Sequence, residues 1–354
     1  MKRQFYLTII GEGFDLSETP VVMGFSYFAS MKKIVIVVGA GANRELDLPT
    51  GYELIHRIIS EIGYNPTYQF KKTGQFQDPV NQFFQVIGRK TDTMQEEAEN
   101  DLLFKQHLLP FREALSAWAA THQSLDAFLN QGNINEIGRQ FGKFAIAYYI
   151  LGQEEWLMRE NLYALHDNWI RSFIEKYLQP IKDALRDGPC TITIITFNYD
   201  RIIEHFLYLF LRHTPGPVYS GEESRAIVER FGIVHVYNNL ADLEWQQPGG
   251  KSIRFGERNN DKGALTQASG AIQLIGEQGI GRVTESTKIK IRELVRTAEQ
   301  CYFLGFGCDP ANMEILFGQE VSKKASIQAP NATRPRSLGI PTWSVPILLS
   351  PSTL

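Results

Sequence analysis

The sequence predicts an α/β protein built on a parallel sheet, and three features support this. The β-branched run over residues 34–38 ends in a Gly-Ala-Gly turn, as expected of a buried parallel strand leading into a phosphate-binding turn. A second β-branched run, at 190–196, follows a Gly-Pro breaker and precedes a helical pattern over 202–211. Strand and helix patterns alternate again further along the chain. We therefore predict an α/β fold with a Rossmann-like parallel sheet and a large helical insertion subdomain.

The other predicted elements follow in chain order. Between about residues 50 and 187, apolar residues recur every three or four positions, which predicts helices over 52–62, 93–109, 112–121, 125–130, 134–151 and 169–185. A third strand is predicted to end at 233–236, and an amphipathic helix over 288–299 leads into a further strand that ends at a glycine-containing turn.

The helical stretch between the first two strands is several times longer than an ordinary crossover, so we expect a subdomain over about residues 65–187. Its aromatic residues are most simply core, although an insertion of this size could also cover a cleft or form an oligomer interface. These residues are Phe141, Tyr148, Trp156, Trp169 and Phe173.

Composition narrows the class of protein. The chain has 354 residues, of which 43% are apolar and 21% charged, enough for one large or two modest domains. Its formal charge of -3 gives no electrostatic reason to expect nucleic-acid binding. Three cysteines without a C-x-x-C pair are too few for a four-thiolate zinc site, so no metal is expected, and they suit a reducing compartment. With no apolar run of spanning length and no signal-peptide pattern, we expect a cytoplasmic protein without a membrane partner.

The two ends of the chain are expected to lie outside the main domain. Met31, followed by two lysines, looks like a translation start, so residues 1–30 are predicted to be an N-terminal extension. Residues 326–354 contain five prolines and few charges, which predicts a Pro-rich tail with little structure of its own. A docking peptide is the alternative for the tail. The main domain is then residues 31–325.

Polar or glycine-containing turns follow each predicted strand. The turn at 39–41 offers backbone N–H groups that could bind a pyrophosphate. Asn198 and Asp200 follow the second strand, His235 ends the third, and a turn over 305–309 follows the last. Because the carboxyl ends of parallel strands meet at one edge of a sheet, we expect these turns to form one cleft.

Each of these residues also has a structural alternative. The glycine turn can be a tight strand-to-helix connection without a ligand. Asn198 and Asp200 can cap the helix that begins near Arg201, which is compatible with a role in a site. His235 can be a hydrogen-bonded structural residue.

The four motifs, in this order, resemble the sirtuin-like (silent information regulator 2) family, specifically its bacterial antiphage-defence branch. The residues that carry the resemblance are Gly39-Ala40-Gly41-Ala42 followed by Leu48-Pro49, then Thr196-Phe197-Asn198-Tyr199-Asp200, then Val234-His235, then Phe303-Leu304-Gly305-Phe306-Gly307-Cys308-Asp309. The segment over 124–129 in the helical block is also similar, so the likeness covers about residues 34–316. The resemblance implies that residues 31–325 form an NAD-binding domain.

The resemblance implies that NAD+ is bound as a substrate. The implied binding residues are Gly39, Ala40, Gly41, Asn43, Pro49, Thr196, Gly305, Gly307 and Asp309. Leu48-Pro49 is not followed by the Asp-Phe-Arg of protein deacylases, and three cysteines cannot supply the four-thiolate zinc module of those enzymes. Hydrolysis of NAD+ is therefore expected rather than deacylation of a peptide.

The implied activity is cleavage of the nicotinamide glycosidic bond, giving nicotinamide and ADP-ribose. Nicotinamide departs as a neutral molecule, so the site must stabilise a sugar cation and orient water. Asn198 would hold the ribose hydroxyls or the water, His235 would act as general base, and Asp200 would orient the ribose or polarise the loop.

An enzyme that hydrolyses the NAD+ of its own cell must be restrained until infection. The resemblance therefore implies a defence effector gated by assembly, either as a homo-oligomer or with a separately encoded HerA-type ATPase or short Argonaute. One alternative is a non-catalytic regulatory subunit that senses NAD or ADP-ribose. A less expected one is an NAD-dependent protein deacylase.

Overall fold

The structure of the protein is a computed structural model. It describes residues 5–8, 33–63, 79–87, 94–122, 124–159, 168–186, 188, 190–213, 216, 218–247, 251–257, 262–274, 283–318 and 344–347.

The strands form two sheets. Their bounds are Phe5–Thr8 (β1), Ile34–Val38 (β2), Ile192–Thr196 (β3), Val234–His235 (β4), Gln300–Leu304 (β5) and Ser344–Ile347 (β6). Four of them form an all-parallel sheet in the order β4-β3-β2-β5, while β1 and β6 pair antiparallel. The prediction of an α/β fold with a parallel sheet is confirmed.

β2 is one of the two internal strands of the parallel sheet, and its sequence is suited to burial on both faces. Val35, Ile36, Val37 and Val38 are all buried, as β-branched residues of an internal parallel strand usually are. Val38 lies in register with Thr196 of β3 on one side and with Leu304 of β5 on the other. The strand ends therefore bring the turn after β2 between the turns after β3 and β5.

Helices surround the sheet in the described part of the chain. The α-helices are Gly51–Gly63 (α1), Pro79–Val86 (α2), Met94–Leu103 (α3), Leu109–Ala119 (α4), Leu125–Leu129 (α5), Glu136–Arg159 (α6), Trp169–Phe173 (α7), Ile202–His213 (α8), Gly221–Arg230 (α9), Lys262–Ala271 (α10), Glu285–Thr297 (α11) and Pro310–Phe317 (α12). Ala40–Leu46 and Gln179–Leu185 are 3₁₀ helices, and Phe104–Leu108 and Ile174–Leu178 are π-helical. None of the described helices has the length and apolar character needed to cross a bilayer.

Helices α1 to α7 lie in the chain between β2 and β3, and an aromatic cluster packs at their centre. The ring of Phe83 lies 5.3 Å from that of Phe141 and 5.6 Å from that of Phe144, and Phe111 lies 5.4 Å from Phe128. These edge-on and tilted contacts are the arrangements that aromatic rings favour. The predicted core role is confirmed for Phe141, Tyr148 and Phe173, which are buried, whereas Trp156 and Trp169 are partly buried.

Several elements differ from the sequence-based prediction. The turn after β2 continues as a seven-residue 3₁₀ helix, which was not predicted, whereas the predicted helix over 52–62 is observed as α1. The long helix α6 continues to Arg159, and helices α2, α9, α10 and α12 were not predicted. The predicted extension over 1–30 and tail over 326–354 lie outside the described residues, apart from the paired strands β1 and β6.

Candidate functional site

The predicted turns meet at the carboxyl edge of the parallel sheet. The N–H of Phe197 donates to the carbonyl of Val38 at 2.9 Å, and the N–H of Val236 donates to the carbonyl of Thr196 at 2.9 Å. On the other side of β2, the N–H of Gly39 donates to the carbonyl of Leu304 at 2.9 Å. The four motif segments are thus in direct contact at this edge of the sheet.

The glycines of two turns interlock through their backbones. Gly41 N–H donates to the carbonyl of Gly305 at 3.0 Å, and a Cβ added to Gly39 would lie 2.6 Å from the same carbonyl oxygen. Gly305 has a φ of +54°, and a Cβ there would lie 1.8 Å from the backbone nitrogen of Ala42. Close packing of the two turns therefore explains these three glycines, and the N–H of Gly41 is already bonded within the protein.

Asn198 lies at the centre of the strand ends. Its N–H donates to Thr196 Oγ1 at 3.1 Å, and its side-chain Nδ2 donates to the carbonyl of Gly39 at 3.3 Å. The residue is 6% exposed, and its Oδ1 has no hydrogen-bond partner among the described residues. A buried amide oxygen without a partner is uncommon, and it leaves an acceptor available for a ligand or a water molecule.

Asp200 is joined to the turn after β2 by a buried hydrogen bond. Asn43 Nδ2 donates to Asp200 Oδ2 at 2.9 Å, while Asp200 Oδ1 accepts from the N–H of Ile202 at 3.3 Å. Asp200 therefore also caps the start of α8, as the structural alternative predicted. Asn43 Oδ1 accepts from the indole N–H of Trp169 at 3.0 Å, which joins the start of α7 to these residues.

His235 has a partner at each ring nitrogen. Nδ1 lies 3.0 Å from the carbonyl of Asn198, and Nε2 lies 2.5 Å from Glu204 Oε1. Glu204 is in the first turn of α8 and is 3% exposed. Both partners are oxygen acceptors, so the ring and the carboxyl group must share at least one proton across the shorter contact.

Burial and neighbouring charges shift the pKa values of two site residues. Burial alone would lower the pKa of His235, but the Glu204 carboxylate, the hydrogen bonds to Glu204 and Asn198, and Asp200 together raise it above its ordinary value. Burial raises the pKa of Asp200 to about 6, although its hydrogen bonds from Asn43 and Ile202 act in the opposite direction.

The predicted binding residues of the turn after β5 do not contact Asn198 or His235 through a hydrogen bond among the described residues. Asp309 caps α12 by accepting from the N–H of Ala311 at 2.9 Å, and Gly307 is exposed with open space around its Cα.

Tyr199, in the motif after β3, donates to Asp126 Oδ1 at 2.6 Å, and burial raises the pKa of Asp126 to about 6. The segment over 124–129, which shares the resemblance, is therefore joined to the motif after β3.

A half-open pocket of about 320 Å³ lies beside these residues rather than over Asn198. Its lining residues follow the glycine turn and begin α1: Arg44, Glu45, Asp47, Leu48, Glu53 and Arg57. Trp169 connects the pocket to the site, because its backbone N–H donates to Glu45 Oε2 at 2.9 Å and its indole to Asn43. Pro49, a predicted binding residue, is buried next to the pocket lining, and Ala40 is partly exposed.

Sequence reasoning missed Glu204 and the Trp169–Asn43 contact. One feature of the sequence could have indicated Glu204. It lies six residues after Asn198, in the first turn of the helix that follows the motif, and therefore close to the ends of the strands. The indole contact had no local signal, because 126 residues separate its two partners.

Comparisons with family models, with curated proteins and with solved structures found no match for this chain. Within the described residues, no group of three or more His, Cys, Asp or Glu side chains is placed to hold a metal ion.

Proposed function

We propose that the protein is an NAD+ hydrolase that cleaves the nicotinamide glycosidic bond and releases nicotinamide and ADP-ribose. The observation that carries the proposal is the contact of three motif segments at one edge of the sheet. There, Asn198 Nδ2 donates to the carbonyl of Gly39, and His235 Nδ1 faces the carbonyl of Asn198. An amide, an imidazole and a glycine turn are the groups that the sequence resemblance assigns to this chemistry.

The strand order supports a dinucleotide as the ligand. The order β4-β3-β2-β5 is that of the first four strands of a Rossmann-like sheet. In such a sheet the strand order reverses beside the first strand, here β2. Ligands of such sheets bind outside the carboxyl ends of the strands at this reversal, which lies between β2 and β5. We therefore propose a Rossmann-like NAD-binding domain with α2 to α7 as its helical insertion subdomain.

The residues present suit cleavage at a cationic leaving group. Nicotinamide leaves without needing a proton, so the site's task is to stabilise the positive charge that develops on the ribose and to orient water. In the proposed reaction, the unpartnered Oδ1 of Asn198 accepts from the ribose hydroxyls or the water. The water oxygen forms a bond to the anomeric carbon as the bond to nicotinamide breaks, and the water proton passes to the hydrogen-bonded pair of His235 and Glu204 or to solvent.

The burial of the site favours gating. Asn198 and Asp200 are only 6% and 5% exposed, so NAD+ requires an opening movement before it can reach them. We propose that assembly, with further copies of the chain or with a partner such as a HerA-type ATPase or short Argonaute, supplies this opening. The biological role would be an effector of antiphage defence that acts by depleting NAD+.

The hydrogen bonding of His235 favours one second candidate, a non-catalytic subunit that senses NAD or ADP-ribose. Both nitrogens of His235 are occupied, as expected of a residue that only supports the fold. Such a subunit would bind the nucleotide and leave it intact.

Incubation of the purified full chain with NAD+, alone and with candidate partners, separates the two functions. We expect nicotinamide and ADP-ribose in equal amounts from the wild type, and none from Asn198→Ala or His235→Ala. Asn130→Ala and His213→Ala, at exposed positions, are the matched controls. Binding without nicotinamide release supports the sensor, and release only with an acyl-lysine peptide supports a deacylase. Wild-type turnover by Asn198→Ala would remove the assignment of that residue.

A further inference from the structure

Two buried polar atoms at the site have no hydrogen-bond partner in the part of the chain that the structure describes. They are Asn198 Oδ1 and Glu204 Oε2, and their residues are 6% and 3% exposed. An unpaired buried carboxylate oxygen is costly unless a ligand, a water molecule or a proton satisfies it, so Oε2 is an acceptor available beside His235.

The geometry at His235 limits what the imidazole can do. Its two ring nitrogens face the carbonyl of Asn198 and Oε1 of Glu204 at 3.0 Å and 2.5 Å. A neutral ring opposite an ionised carboxylate would place a lone pair of Nε2 against an oxygen lone pair. The contact is therefore made either by an imidazolium and a carboxylate or by a neutral ring and a carboxylic acid.

We propose that Glu204 is a positioning residue of the site, which fixes the ring orientation and the protonation of His235 and presents Oε2 as an acceptor for a hydroxyl group or a water molecule. The catalytic consequence rests on the proposed NAD+ hydrolysis, whereas the coupling of Glu204 to His235 does not.

The backbone explains why Glu204 can hold His235. Asp200 Oδ1 accepts from the N–H of Ile202 and so fixes the start of α8, while β4 lies in register with the end of β3 through Thr196 and His235. Glu204 thus projects from a fixed first helical turn toward a fixed strand end. The charged groups that act on His235 are Glu204 and Asp200, both negative, while Asn43 next to Asp200 is neutral.

A carboxylate at this position also changes the role of the imidazole. With both ring nitrogens engaged, His235 accepts a proton directly only when Glu204 moves away; otherwise Oε2 of Glu204 is the atom of the pair that can accept it. The pair then acts as one unit, and removing the carboxylate alters the pH dependence of the reaction as well as its rate.

Titration of His235 by NMR in the full chain is the first test, with ¹⁵N-labelled histidine and His235→Gln to identify the signal. In the wild type we expect the pKa of His235 to lie above its ordinary value of about 6.5. In Glu204→Gln we expect it to fall to that value or below it, since burial then acts without the carboxylate. Glu204→Asp, which keeps the charge, should give an intermediate result, and Glu244→Gln, 64% exposed, should leave the titration unchanged.

Nicotinamide release against pH is the second measurement. We expect Glu204→Gln to lower kcat by roughly 10- to 100-fold with little change in KM, and to move the pH profile, with partial rescue in Glu204→Asp. A wild-type pKa at or below the ordinary value, or a folded Glu204→Gln protein that titrates as the wild type does, would overturn the proposal. Coupled titration without any nicotinamide release would instead leave the Glu204–His235 unit standing and remove the proposed hydrolysis.

Discussion

Asn43 and Asp200, 157 positions apart in the chain, are joined by a buried hydrogen bond of 2.9 Å between Nδ2 and Oδ2. The second polar atom of each side chain is also engaged: Asn43 Oδ1 accepts from the indole N–H of Trp169, and Asp200 Oδ1 accepts from the N–H of Ile202. This series of bonds connects the start of α7, the turn after β2 and the start of α8. These three segments are therefore joined by side-chain hydrogen bonds in addition to the contacts of the sheet.

The first prediction concerns Asp200 and pH. Burial raises the pKa of its carboxyl group to about 6, above the unfolded value of about 3.9, so the folded protein binds more protons between these two values. The free energy of unfolding should therefore fall as pH rises from about 4 to about 6, by about 3 kcal/mol from this residue. In Asp200→Asn this contribution should be absent.

Urea unfolding of both proteins at several pH values measures the difference. Glu244→Gln, which removes an exposed carboxylate, is the control and should keep the wild-type slope. Equal pH dependence in Asp200→Asn and the wild type would show that Asp200 ionises as an ordinary carboxyl group does.

The second prediction concerns Trp169. Trp169→Phe keeps an aromatic ring but leaves Asn43 Oδ1 without its donor, so we expect a loss of about 1 kcal/mol in the free energy of unfolding. Because α7 is then held less firmly to the turn after β2, we also expect faster nicotinamide release if opening limits the reaction. Trp156→Phe, a partly buried tryptophan of α6 outside this network, is the matched control. Equal stability of Trp169→Phe and the wild type would show that the indole contact contributes nothing.

The local features of the fold were readable from the sequence. The β-branched runs identified β2 and β3, and the rule that parallel strands end at one edge placed Asn198 and His235 together. For Asp200 the sequence predicted a helix cap, a site position or both; Oδ1 makes the capping contact with the N–H of Ile202, while Oδ2 accepts from Asn43.

The hydrogen-bond partners of these residues could not be predicted from the sequence, because tertiary packing determines them. Nothing local to His235 indicates that its Nε2 faces Glu204, 31 positions earlier. Likewise, Gly41 belongs to a Gly-Ala-Gly turn of the kind that binds phosphates, yet its N–H donates to the carbonyl of Gly305. The sequence pattern cannot distinguish a backbone that approaches a ligand from one that approaches another backbone.

The third prediction concerns Gly305. Its φ of +54° is unfavourable for other residues, and an added Cβ would lie 1.8 Å from the backbone nitrogen of Ala42, which cannot move without displacing the turn after β2. We expect Gly305→Ala to lower the free energy of unfolding by at least about 2 kcal/mol, measured by urea denaturation. Gly307→Ala should change it by less than about 0.5 kcal/mol, since nothing lies within 4 Å of its added Cβ. Similar values for the two variants would contradict the interlocking of the turns.

The last prediction concerns Arg201 and Glu154, whose side chains form an ion pair with no exposed surface. Arg201 follows Asp200 directly, and its guanidinium donates through Nε and Nη2 to the carboxylate of Glu154 on α6 and through Nη1 to the carbonyl of Ile253 at 2.6 Å. The pair thus joins the site segment to α6.

Removing one partner leaves the other charge buried, so we expect Glu154→Leu and Arg201→Met each to lower the free energy of unfolding by about 3–5 kcal/mol. The double variant should lose clearly less than the sum of the two, because neither charge then remains. Arg254→Ala, which breaks the exposed pair with Glu244, should cost less than about 0.5 kcal/mol. If the losses were additive in the double variant, the two side chains would not stabilise each other. The loss in each single variant would then have a cause other than an unpaired buried charge.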